Sequence, residues 1–155
     1  MHPYIHAQNT PDKLAFVLAD SGETLTYREL DDASNQFAQL LRHRGLQAGD
    51  RAGVMMKNAK QFPIIYWGAQ RSGIFLALLS SHLKPAEAAY ILNDSGAKLL
   101  FTSSELDATA STLVAERDTL IPDIEEIFDI CTTPMPGVTS FLAALDTMPA
   151  TPVAD

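Results

Sequence analysis

Cysteine is nearly absent from this chain, with Cys131 alone among 155 residues. One thiol excludes an internal disulfide and any site built from several thiolates, and a lone Cys usually behaves as a small hydrophobe. The four histidines, His2, His6, His43 and His82, lack metal-ligand spacing with acidic partners, so no metal site is expected. Basic charge is also scarce: 11 Lys and Arg stand against 19 Asp and Glu, a formal net charge of −8. That balance disfavours nucleic acid and anionic membrane surfaces, which recruit a basic stripe. No apolar run approaches the ~18 residues of a membrane span. The opening MHPYIHAQNTPDK has no cationic region leading into an apolar core, so no secretory leader is read and a cytoplasmic location is expected. GxGxxG, GxxxxGK[ST] and GxSxG are all missing, and no Cys/His pair or pair of poised carboxylates stands out. No catalytic residue follows from the residues alone.

What the chain does have is apolar patterning. At 46% hydrophobic and 8% aromatic it is globular in composition, and its length suits one ordinary domain with a core. The stretch 73–103, GIFLALLSSHLKPAEAAYILNDSGAKLLFTS, reads as strand, helix, strand with punctuation at each joint. Residues 74–79 and 98–102 are apolar runs too short for helices, and between them Pro85 opens a helix that Gly96 closes. Continuous apolar strands joined by a helix point to a parallel pair buried on both faces. The same grammar runs backwards along the chain. Residues 14–19 and 23–25 form an expected hairpin, and Thr26 and Glu29 fit a capping box that starts a helix with Leu30, Ala33, Phe37, Ala38 and Leu41 on one stripe. Residues 51–56 read as a strand; Asn58 with Gln61 suggests a second helix start, which Pro63 complicates. Ser104 and Asp107 suggest another box before a helix, residues 124–130 a further strand and residues 139–145 a short helix.

These elements predict an α/β fold, a mainly parallel sheet with helices on both faces. The expected organisation is an N-terminal arm over 1–13, an α/β subdomain over 14–118 (a β-hairpin, then βαβαβα), and the start of a following segment over 119–155. Ligands of such sheets gather at the carboxyl ends of the strands. Here those ends are Lys57 and Asn58, residues 80–84, and residues 102–104.

LTYREL at 25–30, GLQAGD at 45–50, Asn58, WGAQRSG at 67–73 and HLKPAEAAYILNDSGAKLLFTS at 82–103, in this order and spacing, resemble the start of the adenylate-forming superfamily. Within it the resemblance is closest to fatty-acyl-CoA synthetases, of whose large N-terminal domain the chain would be part. The resemblance implies a parent enzyme that turns a carboxylic acid, a fatty acid by this reading, and Mg-ATP into an acyl-adenylate, then passes the acyl group to coenzyme A. ATP, Mg²⁺ and coenzyme A are thus implied for the full-length enzyme and none is expected to be held by these residues alone. The superfamily's phosphate loop, of the form SGTTGxPKG, does not occur here. The chain is therefore read as an N-terminal fragment, inactive by itself, whose partner is the remainder of the same enzyme. Two alternatives stand beside this: a non-catalytic binding or homodimerisation module, or the start of an aryl-CoA ligase or peptide-synthetase adenylation domain. Among individual residues, His82 and Lys84 are the candidates for coenzyme A contact implied by similar ligases, set against a solvated loop. Tyr66 and Trp67 read as packing residues.

Overall fold

A computed structural model describes residues 2–106 and 108–153. In chain order it contains α1 (Pro3–Asn9), β1 (Leu14–Val17), β2 (Thr24–Thr26), α2 (Tyr27–His43), β3 (Arg51–Met55), α3 (Gln61–Ser72) and β4 (Phe75–Leu78). There follow α4 (Pro85–Ser95), β5 (Leu99–Thr102), α5 (Ala108–Ala115), α6 (Arg117–Leu120), β6 (Glu126–Asp129), β7 (Thr139–Ser140) and α7 (Phe141–Asp146). They form two compact units, the first from residues 1–47, 58–73 and 145–155, the second from 48–57 and 74–144. Among the described residues no helix is long and apolar enough to cross a membrane.

The first unit contains the hairpin and two long helices. β1 and β2 pair antiparallel, with Phe16 opposite Leu25. α2 starts where the capping box predicts: the Glu29 N–H donates to Thr26 Oγ1 at 3.2 Å, and the Thr26 N–H donates to Glu29 Oε2 at 2.8 Å. Leu30, Phe37, Ala38 and Leu41 are fully buried along its inner stripe, as the 3.6-residue period requires. α3 packs on α2 at Gly68, where an added Cβ would lie 2.5 Å from Phe37 Cδ1 and 2.8 Å from the Ser34 carbonyl oxygen. The box expected from Asn58 and Gln61 does not form. α3 begins at Gln61 after Lys60, which supplies no side-chain cap. This start places Pro63 in the first turn, where its missing N–H has no helical acceptor to lose. Residues 3–9, read as part of a polar arm, wind into α1 with Pro3 in its first turn and His2 as N-cap.

The second unit is a five-stranded, all-parallel sheet in the order β4-β3-β5-β6-β7. Paired residues Gly53, Leu100 and Ile127 share one face, which is closed by Leu92 and Ala88 of α4 and Leu113 of α5. Gly53 makes that closure fit, since a Cβ there would fall 2.2 Å from Leu92 Cδ2. On the other face Phe101 stacks on Phe128 at 5.0 Å and meets Phe141 of α7 edge-on at 5.9 Å. Helices thus cover both faces of the central strands. The runs at 74–79 and 98–102, expected as a parallel pair buried on both faces, are not neighbours: β3 lies between them, and as the outer strand β4 leaves Phe75 and Leu78 exposed. Residues 139–145, expected as one helix, divide: β-branched Thr139 pairs with β6, its Oγ1 donating to Glu126 Oε1 at 2.6 Å, and the helix starts at Phe141. The capping box expected at 104–107 ends on Asp107, outside the described residues; Ser104–Leu106 forms a turn of 3₁₀ helix.

Candidate functional site

Because the five strands run the same way, the loops after β3, β4, β5 and β6 leave along one edge of the sheet. That edge carries Lys57, residues 80–84 and residues 103–104, the surface expected from the sequence. β4 is an outer strand, so its loop lies at the sheet margin, while the loop after β5 is central.

The centre is organised by Asp129, at the end of β6 and fully buried. Its Oδ1 accepts from the backbone N–H of Ser104 at 3.2 Å and of Cys131 at 3.0 Å, and its Oδ2 from the N–H of Met135 at 2.9 Å. One carboxylate therefore fixes both the loop after β5 and the loop after β6. Buried ions persist when several donors satisfy their lone pairs. Ser103 beside it is buried, with Oγ accepting from the Glu105 N–H at 3.3 Å and lying 3.3 Å from Cys131 Sγ. The buried Thr102 hydroxyl has no hydrogen-bond partner among the described residues.

His82 and Lys84 lie together on the loop between β4 and α4, both exposed. The His82 N–H donates to Ser80 Oγ at 3.3 Å. The Lys84 N–H donates to Glu87 Oε2 at 2.8 Å, half of a capping box. Its other half is absent, since an ammonium has no lone pair to accept the Glu87 N–H, which bonds the Lys84 carbonyl instead at 3.1 Å. Both backbones are thus fixed and both residues are exposed. Among the described residues no group of three or more His, Cys, Asp or Glu is placed to hold a metal ion. Asp129, the buried carboxylate at this edge, has both oxygens engaged by amides and does not fit magnesium. Sequence reasoning missed Asp129. The available signal was a carboxylate set inside the apolar run IFDIC.

A sequence profile of the AMP-binding enzyme family matches residues 4–143. The chain belongs to the AMP-binding enzyme family. Among curated AMP-binding relatives, the 4-hydroxybenzoate–CoA/benzoate–CoA ligase of Rhodopseudomonas palustris is 31% identical over 84% of this chain and 23% of its own length. A fatty acid–[acyl-carrier-protein] ligase of Streptomyces coeruleorubidus is 34% identical over 96% of this chain and 28% of its own length. The chain thus spans about a quarter of the curated relatives it matches. The crystal structure of the anthranilate CoA ligase AuaEII in complex with anthranoyl-AMP superposes with a TM-score of 0.83 at 25% identity, covering 96% of this chain and 28% of that one. AMP-binding relatives therefore include aryl and fatty-acyl ligases alike, and the narrower fatty-acyl-CoA resemblance is not what separates them.

Proposed function

We propose that the chain is the sheet-forming part of an ATP-dependent enzyme that activates a carboxylic acid as its adenylate and transfers the acyl group to a thiol. The observation that carries this reading is the family match over residues 4–143, joined to a parallel sheet whose loops gather at one edge. The acid is proposed only as a class. A fatty acid was the first expectation, yet a benzoate ligase and an anthranilate ligase match alongside a fatty acid ligase. In this reading the residues described here supply framework, and the groups that hold ATP, magnesium and the acid belong to the remaining three quarters of a polypeptide of the relatives' length.

The test is carboxylate-dependent exchange of pyrophosphate into ATP, measured for the 155-residue chain and for the whole reading frame that encodes it, against fatty and aryl acids. Exchange by the longer polypeptide and none by the shorter is expected. No exchange by the longer polypeptide with any acid would refute the reading, and exchange by the short chain would refute its being framework alone.

His82 and Lys84 are proposed to meet the phosphates of the thiol substrate where that substrate is coenzyme A, supported by their shared exposed loop at the carboxyl edge of β4. Replacing both by Ala in the longer enzyme should raise the KM for coenzyme A and leave the exchange reaction unchanged. Unaltered coenzyme A kinetics would return them to a solvated loop.

A further inference from the structure

The first unit contains a histidine that the adenylate chemistry does not use. His2 is the N-cap of α1, and its Nδ1 accepts a hydrogen bond from the Tyr4 N–H at 3.2 Å. An imidazole nitrogen accepts only while it carries no proton, so this cap requires the neutral ring with its hydrogen on Nε2. The ring is half-buried and packs edge-on against Trp67 of α3, centroids 4.9 Å apart. The charged groups around it come from several elements: the Arg71 guanidinium from α3, the Asp31 carboxylate from α2, and the amino terminus. On its own helix the other imidazole, His6, lies tilted against Tyr27 instead, centroids 4.8 Å apart. Arg71 is engaged by Asp31 and by Asn35 Oδ1, the latter at 2.7 Å, so much of the carboxylate's charge is already answered.

We propose that His2 is a pH-sensitive latch that holds α1 in the first unit while its imidazole is neutral and releases the helix when the ring takes up a proton. The step is a simple protonation. A proton from solvent binds Nδ1, the Tyr4 N–H loses its acceptor, and two donors then face each other beside the Arg71 cation. The indole of Trp67 attracts an imidazolium, but that attraction does not restore the lost acceptor. Burial first, then Arg71, lowers the pKa of His2 from the ordinary 6.5, against a smaller opposing pull from Asp31. The fold therefore favours the neutral ring. The latch is engaged above 6.5 and is lost as the pH falls through that value toward the lower folded-state pKa. This inference concerns α1 alone and stands apart from the proposed activity.

Trp67 is the only tryptophan, so its fluorescence reports on the ring packed against it. The 155-residue chain is titrated by fluorescence, and amide exchange corrected for intrinsic rates is compared between about pH 7.5 and about pH 5, either side of the histidine range. Exchange of the amides of residues 4–9 is expected to rise about fivefold or more, the factor that a lost cap gives. Protection of residues 27–43 is expected to hold, and the fluorescence midpoint to fall below 6.5. In His2→Asn, whose side-chain oxygen caps without titrating, both changes should vanish, while His6→Gln should keep them. The proposal is overturned if wild type shows no transition, if His2→Asn titrates like wild type, or if His6→Gln abolishes the change. A midpoint at or above 6.5, or loss of protection throughout the chain at once, overturns it equally.

Discussion

Asp129→Asn is the sharpest perturbation of the carboxyl edge, because it changes one atom's chemistry and almost no volume. Asparagine keeps an oxygen for the Ser104 and Cys131 amides at 3.2 and 3.0 Å, but places an NH₂ where the Met135 N–H now donates at 2.9 Å. One bond to a charged acceptor is lost, worth about 1.5–3 kcal/mol, and a donor is stranded, costing about 1–3 kcal/mol when buried. Removing the ion from a fully buried position recovers some desolvation free energy. The net cost should be about 2–3 kcal/mol, and Asp129→Ala, which removes both acceptor oxygens and with them all three hydrogen bonds, should cost about 4 kcal/mol or more. The assay is native-state amide exchange at residues 99–104 and 126–135, where a local loss of about 2–3 kcal/mol appears as a rise of about 30- to 150-fold. Asp123→Asn, at an exposed carboxylate, is the control and should change nothing. Exchange in Asp129→Asn within about twofold of wild type would refute the claim that this carboxylate fastens the two loops, as would an Ala variant milder than the Asn variant.

Other substitutions test the packing and capping that position the sheet and helices. Gly68→Ala drives a Cβ to 2.5 Å from Phe37 and 2.8 Å from the Ser34 carbonyl; it should cost about 1–3 kcal/mol in denaturant titrations, and a neutral result would mean that α2 and α3 are not in close contact there. Phe141→Ala opens a cavity beside Phe101 on the second face of the sheet and should cost about 3–5 kcal/mol, seen as accelerated exchange in β5 and β6. Thr26→Ala should cost about 1 kcal/mol by losing the α2 cap, read from thermal unfolding by circular dichroism. The same box carries a pH signature: hydrogen bonds from the Thr26 backbone and hydroxyl hold the Glu29 carboxyl below its ordinary 4.5. Its contribution is present above 4.5 and lost as the pH falls through the lower folded value, so the wild-type advantage over Glu29→Gln should shrink on acidification; an advantage unchanged in acid would contradict it.

Local rules carried most of the fold because they act over a few residues. The Thr26 and Glu29 box needs four positions to be recognised, and the apolar run at 98–102 announces the buried central strand β5, because parallel pairing there leaves neither face wet. The similar run at 74–79 misled: it forms the outer strand β4, which pairs with β3 rather than β5 and leaves Phe75 and Leu78 exposed. Where two local signals competed, the sequence misled. Asn58 looks like a cap until Pro63 is considered, and the structure resolves the conflict by placing Lys60 at the cap and starting α3 two residues later than Asn58 implies. Residues 139–145 have helical composition, yet β6 offers an open edge, and pairing with it claims Thr139 and Ser140. A partner 10 or so positions away decided that boundary, and no window of propensity contains such a partner.

The site was legible in a different way. The rule that ligands gather at strand carboxyl ends singles out one edge of the sheet, but it does not separate a residue that meets a ligand from one that builds the edge. Asp129 shows why. Its importance lies in three amides brought to it from Ser104, Cys131 and Met135, one of them 25 residues back in sequence and on another strand's loop. A carboxylate in an apolar run is conspicuous, and desolvation alone argues that something must answer its charge. Either a metal or a set of buried donors would do so equally well on sequence grounds. The geometry selects donors: three backbone amides engage both oxygens, which makes Asp129 a fastener of the loops after β5 and β6.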